Sequence, residues 1–398
     1  MADRDIWTLM NLLILLATAL TAALLLVPGL RRHPTWRAMV TPLASIIGSG
    51  FLVLGPVLAH GFGAWAPAMM GLLCLAAWGF GAAIRDNIAR IGDAPAPKSG
   101  LEQLASAALA FAYVISVAYY LNLFGSFAVQ LLPWQGRTAA RLVTSAVFVL
   151  ILLLGFGRGF STLERAEYMT VTLKLAIIAG LITGLAVFFT GAARGGTLFL
   201  PEGSEQGWGA LTLGFGLLVT VQGFETSRYL KGSYDARTRI RSMRVAQGIS
   251  TAIYLVYVAL LVYAHHVPDG TLSETAVIDM MRGVSPILPG MLILAALAAQ
   301  FSAAVADTGG SGGLVAELTR GRIRERQGYL VLCLAGLALT WVADVFQIIS
   351  YASRAFALYY MAQAAIAARH ATGARRLLWS ALALLALAIA LFGQPVEG

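Results

Sequence analysis

Four ionisable residues stand inside long apolar stretches of this 398-residue chain: Lys174, Glu225, Asp307 and Arg354. Charges are scarce elsewhere, since 12% of the residues are Asp, Glu, Lys or Arg and 59% are hydrophobic. An ammonium or carboxylate among apolar side chains must find a partner of opposite polarity or exchange its proton. These residue types therefore predict proton transfer or ion binding in an apolar environment.

The stretches that hold these residues are predicted to be membrane spans. A bilayer core of about 30 Å requires about 20 apolar residues per helix, and lipid permits only helices or closed barrels. So few charges exclude an ordinary soluble enzyme, a disordered protein and a secreted disulfide scaffold. The prediction is an all-α polytopic membrane protein with about twelve transmembrane helices. The spans lie at approximately 7–28, 40–59, 65–84, 103–132, 139–157, 165–190, 208–230, 245–264, 287–316, 328–344, 346–367 and 377–393.

The positive charges predict the orientation. Alternate loops hold 21 of the 28 Lys and Arg residues, and loops rich in these residues face the cytoplasm. Both termini are then expected outside the cytoplasmic membrane. The net charge of +9 follows from this topology, so no nucleic-acid partner is expected. The basic pair Arg31-Arg32 follows the first apolar run, which favours a retained extra helix over a cleaved signal.

Glycines interrupt two of the spans. The second span contains Ile47, Gly48, Ser49 and Gly50, and the seventh contains Val221, Gln222 and Gly223. Unpaired backbone at membrane depth is tolerated where it lines a cavity, and paired interruptions in corresponding positions are typical of transporter binding sites. The alternative is that these glycines only allow close helix packing.

The position of the interruptions predicts an inverted repeat of five plus five spans. Each set of five begins with its discontinuous helix, and the first set starts inside while the second starts outside. The repeat is expected to occupy residues 38–370. An extra helix and a cytoplasmic loop precede it in residues 1–37, and an extra C-terminal helix follows it in residues 371–398.

Three short motifs resemble a known transporter family. They are Ile47-Gly48-Ser49-Gly50-Phe51, Gly223-Phe224-Glu225, and Arg165-Ala166-Glu167 followed by Thr172-Leu173-Lys174-Leu175. They look like the first, sixth and fifth core helices of the amino acid–polyamine–organocation (APC) superfamily, whose members share the leucine-transporter-type fold. The resemblance covers about residues 38–370. The chain departs from that family in its extra first helix and in Asp307-Thr308-Gly309-Gly310, where small polar residues are more usual.

The resemblance implies a secondary transporter for an amino acid or related small amine. It implies that Lys174 replaces a coupling cation, so that transport is proton-coupled and sodium-independent, and that Glu225 acts in gating or proton transfer. Alternating access by symport or exchange is expected. The carboxylate of the substrate would meet the half-helix amides around Gly48, Ser49 and Gly50, where the helix dipole favours negative charge. Its ammonium would face the carbonyls near Val221 and Gln222.

The expected site residues fall into two groups. Those expected to bind substrate are Ile47, Gly48, Ser49, Gly50, Tyr119, Val221, Gln222 and Gly223. Those expected in proton coupling or gating are Lys174, Glu225, Asp307 and Arg354. Each of the second group has a further interpretation. Lys174 could be a snorkelling or structurally paired lysine. Glu225 could cap the broken helix, and Asp307 could partner Lys174. Arg354 could bind an anionic group, close a gate with Glu225 or form a structural ion pair.

Other function classes remain as alternatives. A non-transporting sensor or accessory membrane subunit would bind a small ligand or a partner protein, the latter through the first helix. An intramembrane enzyme built on Asp307 and Glu225 lacks a supporting motif, so enzymatic activity is not expected. His265 and His266 have no further ligands at metal spacing, so neither a metal nor a cofactor is expected. The expected partners are a small-molecule substrate, protons and membrane lipid.

Overall fold

The computed structural model describes residues 2–48, 50–94, 99–134, 136–157, 164–266 and 272–396. Within these ranges the chain forms α-helices and short 3-10 turns, with no β-strand. The helices in chain order are α1 (Ala2–Leu26), α2 (Pro28–Arg32), α3 (Pro34–Ile46), α4 (Gly50–Phe62), α5 (Ala66–Ile91), α6 (Gly100–Ala128), α7 (Arg137–Gly157), α8 (Glu164–Gly195), α9 (Gly207–Gly216), α10 (Thr226–Tyr229), α11 (Ala236–Val262), α12 (Ala276–Arg282), α13 (Leu288–Leu318), α14 (Glu325–Val342), α15 (Val345–His370) and α16 (Gly373–Phe392).

The length and composition of these helices confirm an all-α polytopic membrane protein. Within the described ranges, eight helical stretches are long and apolar enough to cross a membrane. One of them joins α4 and α5, whereas α3, α9, α10, α14 and α15 are not among these stretches. Each of the twelve spans predicted from the sequence nevertheless overlaps an observed helix. The chain is therefore a multi-pass membrane protein.

Local sequence fixes the start of two helices that later contribute to the site. The carboxylate of Asp235 accepts a hydrogen bond from the backbone N–H of Thr238 at 2.7 Å, at the start of α11. The carboxylate of Asp344 likewise accepts from the N–H of Gln347 at 2.8 Å, at the start of α15. Such caps satisfy amides that have no partner within the helix.

Both glycine-interrupted spans are broken, as predicted. The first changes from α3 to α4 between Ile46 and Gly50. The second leaves α9 at Gly216, passes through a 3-10 turn and an extended Gln222, and resumes as α10. Gly223 within this break has a φ of +116°, a conformation that side chains with a Cβ rarely adopt.

The two broken segments pack against each other in opposite chain directions. A Cβ placed on Gly50 would lie 3.0 Å from the Cα of Thr220, and one on Gly223 would lie 2.6 Å from the N of Ile46. The close approaches, in order along the first segment, are Ser45 with Gly223, Gly50 with Thr220, Gly61 with Leu213, and Gly63 with Pro201. Glycine is required at positions 50 and 223 because the two backbones touch there.

The remaining helices pack in reciprocal pairs. If α3–α4 and α9–α10 each open a unit of five, the third helix of each unit contacts the fifth of the other: α6 packs on α15, and α8 on α13. The third helices, α6 and α13, also pack together, as do the fourth helices, α7 and α14. This exchange of partners is consistent with a repeat of five plus five helices.

The first and last long helices lie against the fifth helix of each unit. Helix α1 packs on α8, where Gly180 and Gly184 face Ile14, and α16 packs on α15. Small residues four apart allow such close helix contact in lipid. Cys74 and Cys333 are both buried and form no disulfide.

Candidate functional site

The first break leaves carbonyl oxygens at the end of α3 without helical partners, and two side chains bind them. The ammonium of Lys174, on α8, donates to the carbonyl of Ala44 at 2.7 Å. The hydroxyl of Tyr254, on α11, lies 2.8 Å from the carbonyl of Ile46. The C-terminal end of a helix favours positive charge. The buried ammonium of Lys174 therefore occupies a place suited to a cation.

Tyr254 also connects the two breaks. Its hydroxyl lies 2.7 Å from the carbonyl of Thr220, in the second break, as well as near Ile46 in the first. A hydroxyl carries a single proton, so it donates to these two carbonyls in turn or shares the proton between them. Sequence reasoning missed Tyr254, because a tyrosine within an apolar helix is more often a packing residue.

The second break is held by side chains from α15. The hydroxyl of Ser353 donates to the carbonyl of Gly216 at 2.6 Å and accepts from the N–H of Val219 at 2.9 Å. The carboxylate of Glu225 accepts from the N–H of Gly223 at 2.9 Å and from the hydroxyl of Tyr360 at 2.8 Å. Glu225 thus binds an amide freed by the break, in accord with one of the two roles considered for it.

The residues expected to bind substrate come together between the breaks. The amide of Gln222 donates to the hydroxyl of Tyr120 at 3.0 Å, and the Tyr120 ring lies 5.2 Å from that of Tyr119. A Cβ on Gly50 would lie 2.8 Å from the Tyr119 hydroxyl. Ile47, Gly48, Val221 and Gly223 are buried in the same region. Ser49 lies outside the described residues.

Asp307 lies on α13 and faces α6. One of its oxygens accepts from the hydroxyl of Ser116 at 2.5 Å. No other hydrogen bond or ion pair joins Asp307 to a residue in the described part of the chain, so the structure does not pair it with Lys174. It lies within electrostatic range of Glu225.

Arg354 lies apart from the other ionisable residues. Its Nε donates to the carbonyl of Ala390 at 2.8 Å, near the C-terminal end of α16. That end carries partial negative charge, which a guanidinium stabilises. In the described chain Arg354 makes no ion pair with Glu225. The geometry therefore gives Arg354 the environment of a helix cap.

A buried ion pair that sequence reasoning missed follows the second break. The guanidinium of Arg228, which follows the second break on α10, lies 2.6 Å from the carboxylate of Glu102 at the start of α6. Arg228 also donates to the side chain of Gln363 on α15, and Gln363 accepts from Asn87 on α5 at 3.0 Å. In the sequence, Ser99-x-x-Glu102 has the pattern of a helix capping box. That pattern does not predict an ion pair between Glu102 and Arg228.

We predict that Glu102→Gln strongly destabilises the protein. The change leaves the buried guanidinium of Arg228 without a countercharge, which costs about 3–5 kcal/mol. Thermal unfolding of the purified protein in detergent measures the effect. Asp86→Asn is the control, because the Arg375–Asp86 pair is 69% and 25% exposed and such pairs contribute about 0–1 kcal/mol. Equal melting temperatures for the two variants would contradict the prediction.

Comparison with known proteins agrees with this geometry. A family described as APC superfamily transporter matches residues 28–393, which hold both breaks and every helix after α1. The chain is also 38% identical to a protein of Aquifex aeolicus (strain VF5) named "Uncharacterized protein", over 98% of each chain. A match over nearly all of the helical bundle shows the family. The chain belongs to the APC superfamily of transporters.

Proposed function

We propose that the protein is a secondary active transporter that moves an amino acid or related small amine by alternating access, coupled to protons and independent of sodium. The observation that carries the proposal is the contact between two broken helices whose freed backbone groups meet between α6, α8, α11 and α15. Broken helices that meet within a membrane protein are suited to binding a zwitterion, because they present amides to an anion and carbonyls to a cation.

Proton coupling is proposed from the place of Lys174. Its ammonium lies against the Ala44 carbonyl, at the helix end where a metal cation would also be stabilised. A lysine can release its proton where burial disfavours charge, whereas a bound metal ion would have to leave. Releasing a proton there would weaken the contact between α8 and the first broken helix. Taking up a proton again would restore that contact.

An inverted repeat would supply the motion. The broken helices run in opposite directions, and α6 with α15 mirrors α8 with α13. In such an arrangement, rocking one group of helices against the other exposes the same site to either side of the membrane. We propose on this basis that the described core is a five-plus-five repeat of the leucine-transporter type, in the cytoplasmic membrane with both termini outside.

Solute counterflow in proteoliposomes tests the transport proposal. A thermal-shift screen of amino acids, amines and small carboxylates first identifies a ligand, since a molecule that binds the folded state raises its melting temperature. Liposomes loaded with that unlabelled ligand are expected to accumulate the labelled form transiently. Binding without counterflow would contradict transport and favour a sensor or accessory subunit.

A further inference from the structure

Two buried carboxylates near the second break have no cation beside them within the described chain. Glu225 is bound by the N–H of Gly223 and the hydroxyl of Tyr360, and Asp307 by the hydroxyl of Ser116. All three donors are neutral. Glu225 is fully buried and Asp307 is 5% exposed. Because an uncompensated carboxylate is costly inside a membrane protein, both groups need a proton or a cation that the described residues do not supply.

Aromatic rings lie between these carboxylates. Tyr113 is within electrostatic range of both Asp307 and Glu225, and its ring centroid lies 6.1 Å from that of Phe356. The Phe356 centroid in turn lies 6.3 Å from that of Tyr360, the residue that binds Glu225. Aromatic faces attract positively charged groups, and organic cations most of all. We call the group formed by Tyr113, Ser116, Glu225, Asp307, Phe356 and Tyr360 the acidic aromatic cluster.

Unused hydrogen-bond acceptors show which kind of group is missing. The second oxygen of Glu225 is buried and has no partner, and the same is true of the side-chain oxygen of Gln222. Gln222 is 2% exposed and is bound through its nitrogen to Tyr120, which is also within electrostatic range of both carboxylates. A buried acceptor without a donor is costly. A partner that carries several donors and a positive charge would satisfy these acceptors and offset both carboxylates.

Lys174 does not fill this role. Its ammonium is directed to the carbonyl of Ala44, at the first break, and it makes no ion pair with Asp307 or Glu225. Arg228 is paired with Glu102, and Arg354 is bound to α16. These three cations thus have partners elsewhere.

We propose that the acidic aromatic cluster binds a second, distal cationic group of the substrate, so that the preferred substrates are basic amino acids or diamines. This inference rests on the proposed transport function and names its substrate class. Asp307 would be the specificity-determining residue, with Ser116 as a positioning residue. The first charged groups of the substrate would remain between the breaks, and the distal ammonium or guanidinium would extend toward α13.

Uptake by proteoliposomes tests the assignment. Wild-type protein is expected to take up labelled lysine and putrescine in preference to leucine. Asp307→Asn keeps the size of the side chain and an acceptor for Ser116, but removes the charge. It is expected to lower kcat/KM for lysine and putrescine by about tenfold or more relative to that for leucine, as loss of a buried charged contact does. Asp279→Asn, at an exposed carboxylate on α12, is the matched control.

The outcomes distinguish a failure of this inference from a failure of the proposed transport function. A wild-type protein that carries leucine as well as lysine would overturn the distal-cation assignment while leaving transport intact. An equal loss for all substrates in Asp307→Asn would also overturn it, because a proton site affects every substrate alike. Binding of lysine and leucine to the wild type, measured by thermal shift, does not depend on the folding of any variant. A wild type that carries no amine at all would instead contradict the proposed function.

Discussion

Replacing Lys174 by alanine is expected to abolish uptake driven by a proton gradient in proteoliposomes. The change removes the ammonium that is hydrogen bonded to the Ala44 carbonyl, and with it the group proposed to take up and release the proton. Uptake of labelled substrate into liposomes with an acidic exterior measures the effect. Wild-type rates in Lys174→Ala would contradict the assigned role.

Lys174→Arg separates a proton carrier from a fixed charge. An arginine can donate to the same carbonyl, but it does not release its proton in proteins. Proton-driven uptake is therefore expected to be lost in this variant as well. Recovery of uptake in Lys174→Arg would mean that Lys174 supplies only structural charge. Lys231→Ala, on the short turn after α10, is the control for loss of a lysine outside the site.

Replacing Gly223 by alanine is expected to lower both stability and transport. Its backbone has a φ of +116°, and holding a residue with a Cβ in such a conformation costs about 1–3 kcal/mol. The new Cβ would also lie 2.5 Å from the Oγ of Ser45 and 2.6 Å from the N of Ile46. The two breaks would have to separate, so melting temperature and counterflow are both expected to fall.

Gly191→Ala is the matched control for this substitution. Gly191 lies in α8, and a Cβ there would meet nothing within 4 Å. Alanine in a helix is favoured over glycine by about 0.5–1 kcal/mol, so this variant is expected to melt at the same temperature as the wild type or higher. If both alanine variants kept full stability and transport, close contact between the breaks would not be required.

The sequence predicts the fold well because membrane burial leaves few options. Each apolar run must be a helix, and glycine pairs such as Gly48 and Gly50 mark the places where a helix cannot continue at low cost. The apolar runs and interruptions indicate how the spans are grouped. They do not indicate that Gly50 touches Thr220, because such contacts depend on the way distant segments pack.

The site is less predictable than the fold, because its contacts also depend on the way distant segments pack. Lys174 and Glu225 could be identified because a charge inside an apolar span is expensive. Tyr254 and Ser353 could not, since hydroxyl groups occur in many helices and only the folded chain brings them to the orphan carbonyls. Arg354 shows that a charge within a span need not belong to the site. It binds the end of a neighbouring helix instead.

The most direct test measures substrate and proton movement together. Proteoliposomes containing the wild-type protein and an internal pH indicator receive labelled substrate in sodium-free buffer, with an acidic exterior. Proton-coupled symport predicts that substrate accumulates while the lumen acidifies faster than in empty liposomes, and exchange of substrate for protons predicts the opposite pH change. Uptake that requires a sodium gradient, with no substrate-dependent change in internal pH, would contradict the account.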